Sequence, residues 1–263
     1  MNILKSLWGY RSFIIGTIKR DFQAKYQNSL FGVVWAVLSP LALIVVYTVV
    51  FSQVMKAKLP GVESNVAYSI YLCAGTLTWG LFSEIVQRMQ VCFLENANLL
   101  KKLIFPRICL PVIVLGNALV NFSIIFGIFI VFLIITGNFP GLLFLSLIPP
   151  LIILLLFAIG LGVTLGVLNV FFRDVGQFFG IFLQFWFWLT PIVYPISILP
   201  ERVQAIINFN PLVPVIGAFQ SILVSRQPPV WGNFIYPLTL SLVLCFIGLY
   251  LFRRHAADMV DEL

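Results

Sequence analysis

The chain has 263 residues, of which 61% are hydrophobic and 10% are charged, and its mean hydropathy is +1.06. This composition excludes an ordinary soluble domain, and the net charge of +7 does not indicate nucleic-acid binding because the basic residues lie in short loops beside apolar segments. The four cysteines form no CxxC pair and there is one histidine, so neither a disulfide framework nor a metal site is expected.

A basic, amphipathic segment opens the chain. Its apolar residues recur at helical spacing, and they are Leu4, Leu7, Trp8, Ile14, Ile15, Ile18 and Phe22. Lys19 and Arg20 lie largely off that stripe. Because such a helix typically lies along the membrane surface, we predict an interface helix within residues 1–30.

Six apolar segments reach the roughly 20 residues that a membrane-spanning helix requires. Their approximate ranges are 31–55, 67–90, 108–136, 142–171, 176–196 and 231–252. Of the 16 lysines and arginines, 12 fall on the side of the two termini and 4 on the other side, which predicts cytoplasmic termini. The predicted fold class is therefore an all-α integral membrane protein. Residues 1–263 form one domain, and 253–263 form a cytoplasmic tail.

The second and third predicted spans are joined by the cytoplasmic loop FLENANLLKKLIFPR at residues 93–107. Its pattern predicts a short amphipathic helix with leucines on one side and Lys101 and Lys102 on the other, ended by Pro106. Such a helix can occupy a groove of a soluble partner or rest on lipid headgroups. The loop alone does not separate these two interpretations.

The turn NVFFRDV at residues 169–175 precedes a helix rich in aromatic residues. We expect Asp174 to cap that helix and Arg173 to reach lipid headgroups or a partner. In the following stretch, QFFGIFLQFWFWLTPIVYP, the rings of Phe178, Phe182 and Phe185 share one helical face. These rings could pack against lipid or core, or they could stack on the apolar faces of sugars in a pore.

Residues 197–230 are predicted to lie outside and yet contain many apolar residues. The pattern predicts two short helices broken at Asn210-Pro211. The second would be about 22 Å long, too short to cross a bilayer, so a re-entrant hairpin is expected. Such a hairpin is a candidate external gate.

No residue pattern for catalysis is present, since the chain lacks GxxxxGK[ST], GxSxG and HExxH motifs. The ionisable pair within a span is Glu84 and Arg88, one helical turn apart, for which a local ion pair is favoured over a proton relay. Two other functional classes stay open at this point. They are an ion-coupled carrier and a membrane scaffold without transport activity.

Several of these motifs together resemble one family. The run IKRDFQAKYQNSLFGVVWAVLSPL, the loop NLLKKLIFPR, the turn NVFFRDV, and LTPIVYP followed by NP are similar to the membrane permeases of ABC polysaccharide and polyol-phosphate exporters. That group serves O-antigen, capsule or teichoic acid export. The similarity extends in order and spacing over nearly the whole chain.

The resemblance implies a permease that exports lipid-linked polysaccharide, with O-antigen favoured, across the bacterial inner membrane. Two copies would enclose a channel, and two copies of a separate ATPase would bind ATP and Mg²⁺, so this chain would hold no cofactor. An ABC exporter of drugs or small lipids on the same fold is the nearest alternative.

The resemblance also implies roles for particular residues. Lipid headgroups would enter beside Arg20, Lys25 and Tyr26. A coupling helix near Asn96–Phe105 would contact the ATPase through Asn98, Leu99, Leu100, Lys101, Lys102, Leu103, Ile104, Phe105 and Arg107, with Arg173 and Asp174 at the other cytoplasmic turn. The channel would be lined by Trp35, Phe178, Phe182, Phe185, Trp186 and Tyr194. The external gate would include Asn210, Pro211 and Phe219.

Overall fold

A computed structural model describes residues 7–26, 34–50, 66–102, 106–256 and 258–262, and these ranges contain helices and no strand. In chain order the helices are α1 (Arg11–Tyr26), α2 (Trp35–Tyr47), α3 (Ala67–Glu95), α4 (Ala97–Lys102), α5 (Cys109–Ile135), α6 (Ile148–Phe171), α7 (Asp174–Leu189), α8 (Glu201–Ile207), α9 (Leu212–Gln220), α10 (Ile235–Arg254) and α11 (Asp258–Glu262). Tighter 3₁₀ turns over Gly141–Leu147 and Trp231–Phe234 lead into α6 and α10. A π-helical turn over Ser221–Ser225 extends α9.

Four of the described helices are long and apolar enough to cross a membrane. They are α3, α5, α6 with its preceding 3₁₀ turn, and α10 with its preceding turn, which agrees with four of the predicted spans. Helix α2 has 13 residues and α7 has 16, or about 24 Å at 1.5 Å per residue, less than the roughly 30 Å of hydrocarbon. Parts of the predicted first span, 31–33 and 51–55, lie outside the described residues. The total of six spans therefore stays a prediction.

The centre of the bundle is α6, which packs along α3 on one side and α10 on the other. Small residues permit this close approach. A Cβ at Gly166 would lie 2.7 Å from the carbonyl oxygen of Met89 on α3, and a Cβ at Gly160 would lie 2.5 Å from the backbone nitrogen of Cys245 on α10. The glycines of α6 thus serve packing within one chain.

Helix α1 packs against the N-terminal half of α5. Ile14 is buried beside Ile113, and Ile18 covers Gly116, where a Cβ would lie 2.3 Å from the end of the Ile18 side chain. The amide of Asn117 donates to Asp21 Oδ2 at 2.9 Å. The predicted apolar stripe is confirmed only in part, because Ile15 is 64% exposed.

At the opposite end of the molecule, α8 and α9 form a bent pair. Their axes meet at 106° across a break of a few residues that contains Asn210 and Pro211. The predicted interruption at these two residues is confirmed. The position of the pair relative to a bilayer stays a prediction.

Candidate functional site

Helix α7 divides its aromatic rings between the core and an exposed side. Trp186 packs against Trp79, Phe82 and Phe157, with ring centroids 6.1, 5.4 and 6.2 Å away. Phe178 is 70% exposed, and Phe182 and Phe185 are also exposed, although the Phe182 ring lies 5.2 Å from that of Trp186. The three phenylalanines of the predicted channel set therefore share an uncovered face. Trp186 is half-buried and packs against the core beside that face.

The N-terminal end of α7 is held by an arrangement that we call the inner clamp, formed by Gln90, Asn169 and Gly176. The buried Asn169 amide donates to the carbonyl of Gln90 at 3.0 Å and accepts from the Gly176 N–H at 2.9 Å. The Gln90 amide in turn donates to the carbonyl of Gly176 at 2.9 Å. One pair of side chains thereby joins α3, α6 and α7.

The inner clamp replaces the cap that the sequence predicts from Asp174. The first N–H groups of a helix have no partner within the helix, and a side-chain oxygen usually accepts from one of them. In α7 that oxygen belongs to Asn169, seven residues before Gly176. Asp174 lies exposed in the first turn, where its charge is favoured by the helix dipole, and Arg173 is exposed beside it.

The outer end of α7 is held by a second arrangement, the outer clamp, formed by Trp186, Thr190 and Asn210. The Trp186 indole N–H donates to Asn210 Oδ1 at 3.1 Å, and the Asn210 amide donates to Thr190 Oγ at 2.9 Å. The same Asn210 oxygen accepts from the Leu212 N–H at the start of α9. Asn210 therefore joins the end of α7 to the bent pair, as a residue of the predicted external gate.

Beyond α7 the chain leaves helical structure at residues 190–195, and long polar side chains bind its carbonyl groups. The Tyr68 hydroxyl donates to the Val193 carbonyl at 2.6 Å, and the Tyr71 hydroxyl lies 3.1 Å from the Pro191 oxygen and 3.0 Å from that of Tyr194. The Gln220 amide lies 3.3 Å from the Pro191 oxygen. Non-helical backbone is tolerated at membrane depth only when protein or water satisfies it in this way.

A cavity of about 290 Å³ lies beside this segment, lined by residues that include Tyr71, Pro195, Val213, Gly217 and Gln220. Of the remaining predicted gate residues, Phe219 is fully buried in a cluster with Phe129 and Ile222. Pro211 is also buried. Tyr194 is predicted to face the channel. Its phenol hydroxyl donates a hydrogen bond to the carbonyl of Trp188 at 2.7 Å.

Helix α3 presents polar side chains outward in the half nearer its C-terminal end. Arg88 forms an ion pair with Glu84 at 2.9 Å, and Glu84 also accepts from the Asn121 amide of α5 at 2.8 Å. The predicted local ion pair is confirmed. Gln87 is exposed on the same surface. Amides and charges on a spanning helix are costly against lipid, so this surface is expected to face water or protein.

Helix α4 is attached to the body of the protein by part of its apolar side. Leu100 is 8% exposed and belongs to the main core, and α11 packs against α4 with Met259 buried. Leu100 is therefore unsuited to the predicted contact with a partner, because it is already covered. Asn98 and Lys101 are exposed, whereas residues 103–105 and the side chain of Lys102 lie outside the described part of the chain.

The other predicted cytoplasmic residues lie apart from one another. Arg20 and Lys25 are exposed on α1, and Arg107 is half-buried before α5. Tyr26 ends α1, and its side chain lies outside the description. Trp35 is half-exposed at the start of α2.

Several residues that organise this region were missed at the level of sequence. Gln90 and Asn169 are lone amides within apolar spans. Because burying an unpaired amide costs free energy, their positions alone indicate that each has a hydrogen-bond partner. Tyr68, Tyr71 and Gln220 gave no comparable signal, because their partners are backbone carbonyls more than 25 residues away.

Comparison with known proteins places these features in context. A family model described as ABC-2 type transporter matches residues 14–224. The O-antigen export system permease protein RfbA of Klebsiella pneumoniae is 28% identical over 239 residues, covering 89% of this chain and 88% of the relative. The protein of the same name from Myxococcus xanthus is 25% identical over 265 residues and covers 100% of both chains. The polysialic acid transport protein KpsM of Escherichia coli is 22% identical, covering 92% of this chain and 93% of the relative.

Proposed function

Because this chain belongs to the ABC-2 type transporter family, we propose that it is the transmembrane permease of an ATP-driven exporter of lipid-linked polysaccharide, with O-antigen as the leading class. The relatives that it resembles over nearly their whole length are named for O-antigen export and polysialic acid transport. The chain has no phosphate-binding loop of its own, so the ATPase is a separate subunit. The proposed location is the bacterial inner membrane, with both termini in the cytoplasm.

The observation that carries this proposal is the polar and aromatic surface that α3 and α7 leave uncovered. Gln87 and Arg88 on α3 and Gln184 on α7 are exposed, although lipid cannot bind their polar groups. A second copy facing this surface across a two-fold axis would enclose a water-filled path between the two chains. The exposed rings of Phe178 and Phe185 would then offer sugars weak contacts without a fixed register.

The cytoplasmic helices offer two routes by which ATPase movement would reach that path. Helix α4 follows α3 directly, and the Asn96 side chain between them donates to the Cys92 carbonyl at 2.8 Å. Exposed Asn98 and Lys101 would contact the ATPase. Because Leu100 of the same helix is buried in the core, a displacement of α4 would be transmitted to the core. The second route runs from α1 to α5 through Asp21 and Asn117.

Recruitment of the cargo is proposed at α1. Exposed Arg20 and Lys25 would meet the pyrophosphate of an undecaprenyl-linked glycan, since cations of this kind bind phosphate oxygens strongly. The apolar side of the same helix is packed on α5, whereas Arg20 and Lys25 are exposed to the surroundings.

Deletion of the gene in its source cells tests the proposal. We expect surface polysaccharide to disappear and lipid-linked glycan to accumulate inside, and we expect the wild-type gene to restore export. Gel analysis of surface polysaccharide and extraction of the lipid-linked pool measure both. Normal surface polysaccharide in the deletion strain, with new sensitivity to an apolar drug, would instead support the drug-exporter alternative.

A further inference from the structure

A cleft of about 470 Å³ lies between α3 and α7. It is lined by two amides, one hydroxyl and three aromatic rings, which belong to Gln87, Gln184, Ser83, Trp79, Phe187 and Trp188. Its volume falls within the ~300–1,000 Å³ typical of small-molecule sites. None of these residues belongs to the inner or the outer clamp.

The two amide side chains of the cleft have no hydrogen-bond partner among the described residues. Neither the Gln87 nor the Gln184 side chain forms a hydrogen bond within the part of the chain that the structure describes, and both are exposed. Gln87 lies eight residues before the end of α3 and Gln184 ten residues after the start of α7, or about 12 and 15 Å along their helices. Lipid tails offer amides no partner, so exposed amides on apolar helices require one from another source.

The three aromatic rings pack against one another, and one of them is largely exposed. Phe187 packs edge-on against Trp79 at 5.7 Å and against Trp188 at 5.3 Å. Trp79 is buried and serves as support, whereas Trp188 is 62% exposed. An exposed indole face beside free amides matches a pyranose, because the C–H face of the ring stacks on an aromatic surface while its hydroxyls exchange hydrogen bonds with amides.

We propose that the α3–α7 cleft is a subsite for one pyranose unit of the moving glycan, with Gln87 and Gln184 binding hydroxyls and Trp188 stacking on the ring. This proposal rests on the proposed function and assigns a binding site to it. The cleft is open on one side, so it binds each unit weakly. Weak, repeated binding suits a translocation path, since a unit must leave as readily as it enters.

Replacing both amides by leucine tests the subsite in the intact exporter. Leucine is favoured over glutamine in a spanning helix, so the Gln87→Leu/Gln184→Leu variant is expected to insert normally. We expect the amount of surface polysaccharide produced per hour to fall about tenfold, because the two amides contribute several hydrogen bonds. Gln177→Leu is the matched control, an exposed amide on the same helix seven residues earlier, and it should export normally.

Binding can be measured directly on the purified permease–ATPase complex in nanodiscs. The probe is delipidated surface polysaccharide from the source cells. Its binding is measured as quenching of tryptophan fluorescence, and the part of the quenching that is lost in the Trp188→Phe variant is assigned to Trp188. The double leucine variant should raise the apparent Kd about tenfold, or about 1.4 kcal/mol. Gln177→Leu should leave it unchanged, and Gln87→Asn/Gln184→Asn, which keeps both amides, should restore part of the affinity.

The outcomes separate the subsite from the proposed function. Unchanged export and unchanged Kd in the double leucine variant would overturn the subsite while the deletion phenotype still supports polysaccharide export. Loss of pairing between two permease copies in that variant would show that the amides bind a second copy, and the subsite would again be wrong. A deletion strain with normal surface polysaccharide would remove the proposed function, and the subsite with it.

Discussion

At its N-terminal end α7 is held by the buried side chains of Asn169 and Gln90, whereas its C-terminal end is held by half-buried Asn210, and the segment after it by phenol and amide side chains that reach across from α3 and α9. The inner clamp is buried between three helices, with Asn169 2% and Gln90 6% exposed. The outer segment lies beside a cavity of about 290 Å³. Side chains packed between three helices permit one geometry, but side chains that line a cavity can follow a displaced segment. We therefore expect the outer end of α7 to move while the inner end stays fixed.

The largest effect is expected from Asn169→Ala. The substitution removes the only described acceptor of the Gly176 N–H in the first turn of α7 and leaves a small cavity. A buried, unsatisfied donor costs about 1–3 kcal/mol, so we expect the free energy of unfolding to fall by about 2–3 kcal/mol. Equilibrium unfolding in mixed detergent micelles measures it, and Asn233→Ala at an exposed position is the control.

Glycine substitutions on α7 check the same clamp independently. A Cβ at Gly176 would lie 2.8 Å from Asn169 Oδ1, whereas a Cβ at Gly180 would meet no atom within 4 Å. Gly176→Ala should therefore lower the free energy of unfolding, and Gly180→Ala should leave it equal or raise it slightly, because alanine is the better helix former. Equal effects at the two glycines would contradict a rigid inner clamp.

A smaller effect is expected from Asn210→Ala at the outer clamp. The variant loses the bonds to Trp186, Thr190 and Leu212, but Asn210 is half-buried, so water can replace part of what is lost. We expect the free energy of unfolding to fall by about 1–2 kcal/mol. Protease cleavage within residues 190–211 should also become faster than in Asn169→Ala. The reverse order of these two stability losses would show that the outer end is the fixed one.

The smallest effect is expected from Gly75→Ala on α3. A Cβ there would lie 2.8 Å from Gln220 Nε2, the far end of a flexible side chain beside the cavity, and 3.1 and 3.3 Å from Cγ2 and the carbonyl oxygen of Ile192, which belong to the adjustable segment itself. We expect the free energy of unfolding to fall by less than about 1 kcal/mol relative to Gly80→Ala, because a Cβ at Gly80 would meet no atom within 4 Å. A loss larger than that of Gly176→Ala, measured by the same unfolding assay, would mean that the outer segment is not adjustable.

The helices of this fold were largely predictable, and the site was predictable only in part. Hydrophobic runs located α3, α5, α6 and α10, and Asn210-Pro211 marked the break between α8 and α9. Periodicity also placed Phe178, Phe182 and Phe185 on one face of α7. It placed Trp186 on a different face with Phe179, but it could not show which of the two aromatic faces packs against the core. Likewise, the apolar side of α4 suggested a partner surface, but Leu100 packs within the chain itself.

By itself, then, the sequence determined the membrane class, the four long helices and the absence of an ATP-binding loop, because each of these depends on local composition along the chain. Only the tertiary structure decided which amides serve as clamps and which stay exposed. Gln90 and Gln87 lie on one helix three residues apart, yet the first is bonded to Gly176 on α7 and the second lines an open cleft. The difference comes from what packs on each face of α3, and that packing is set by contacts between residues far apart in the chain.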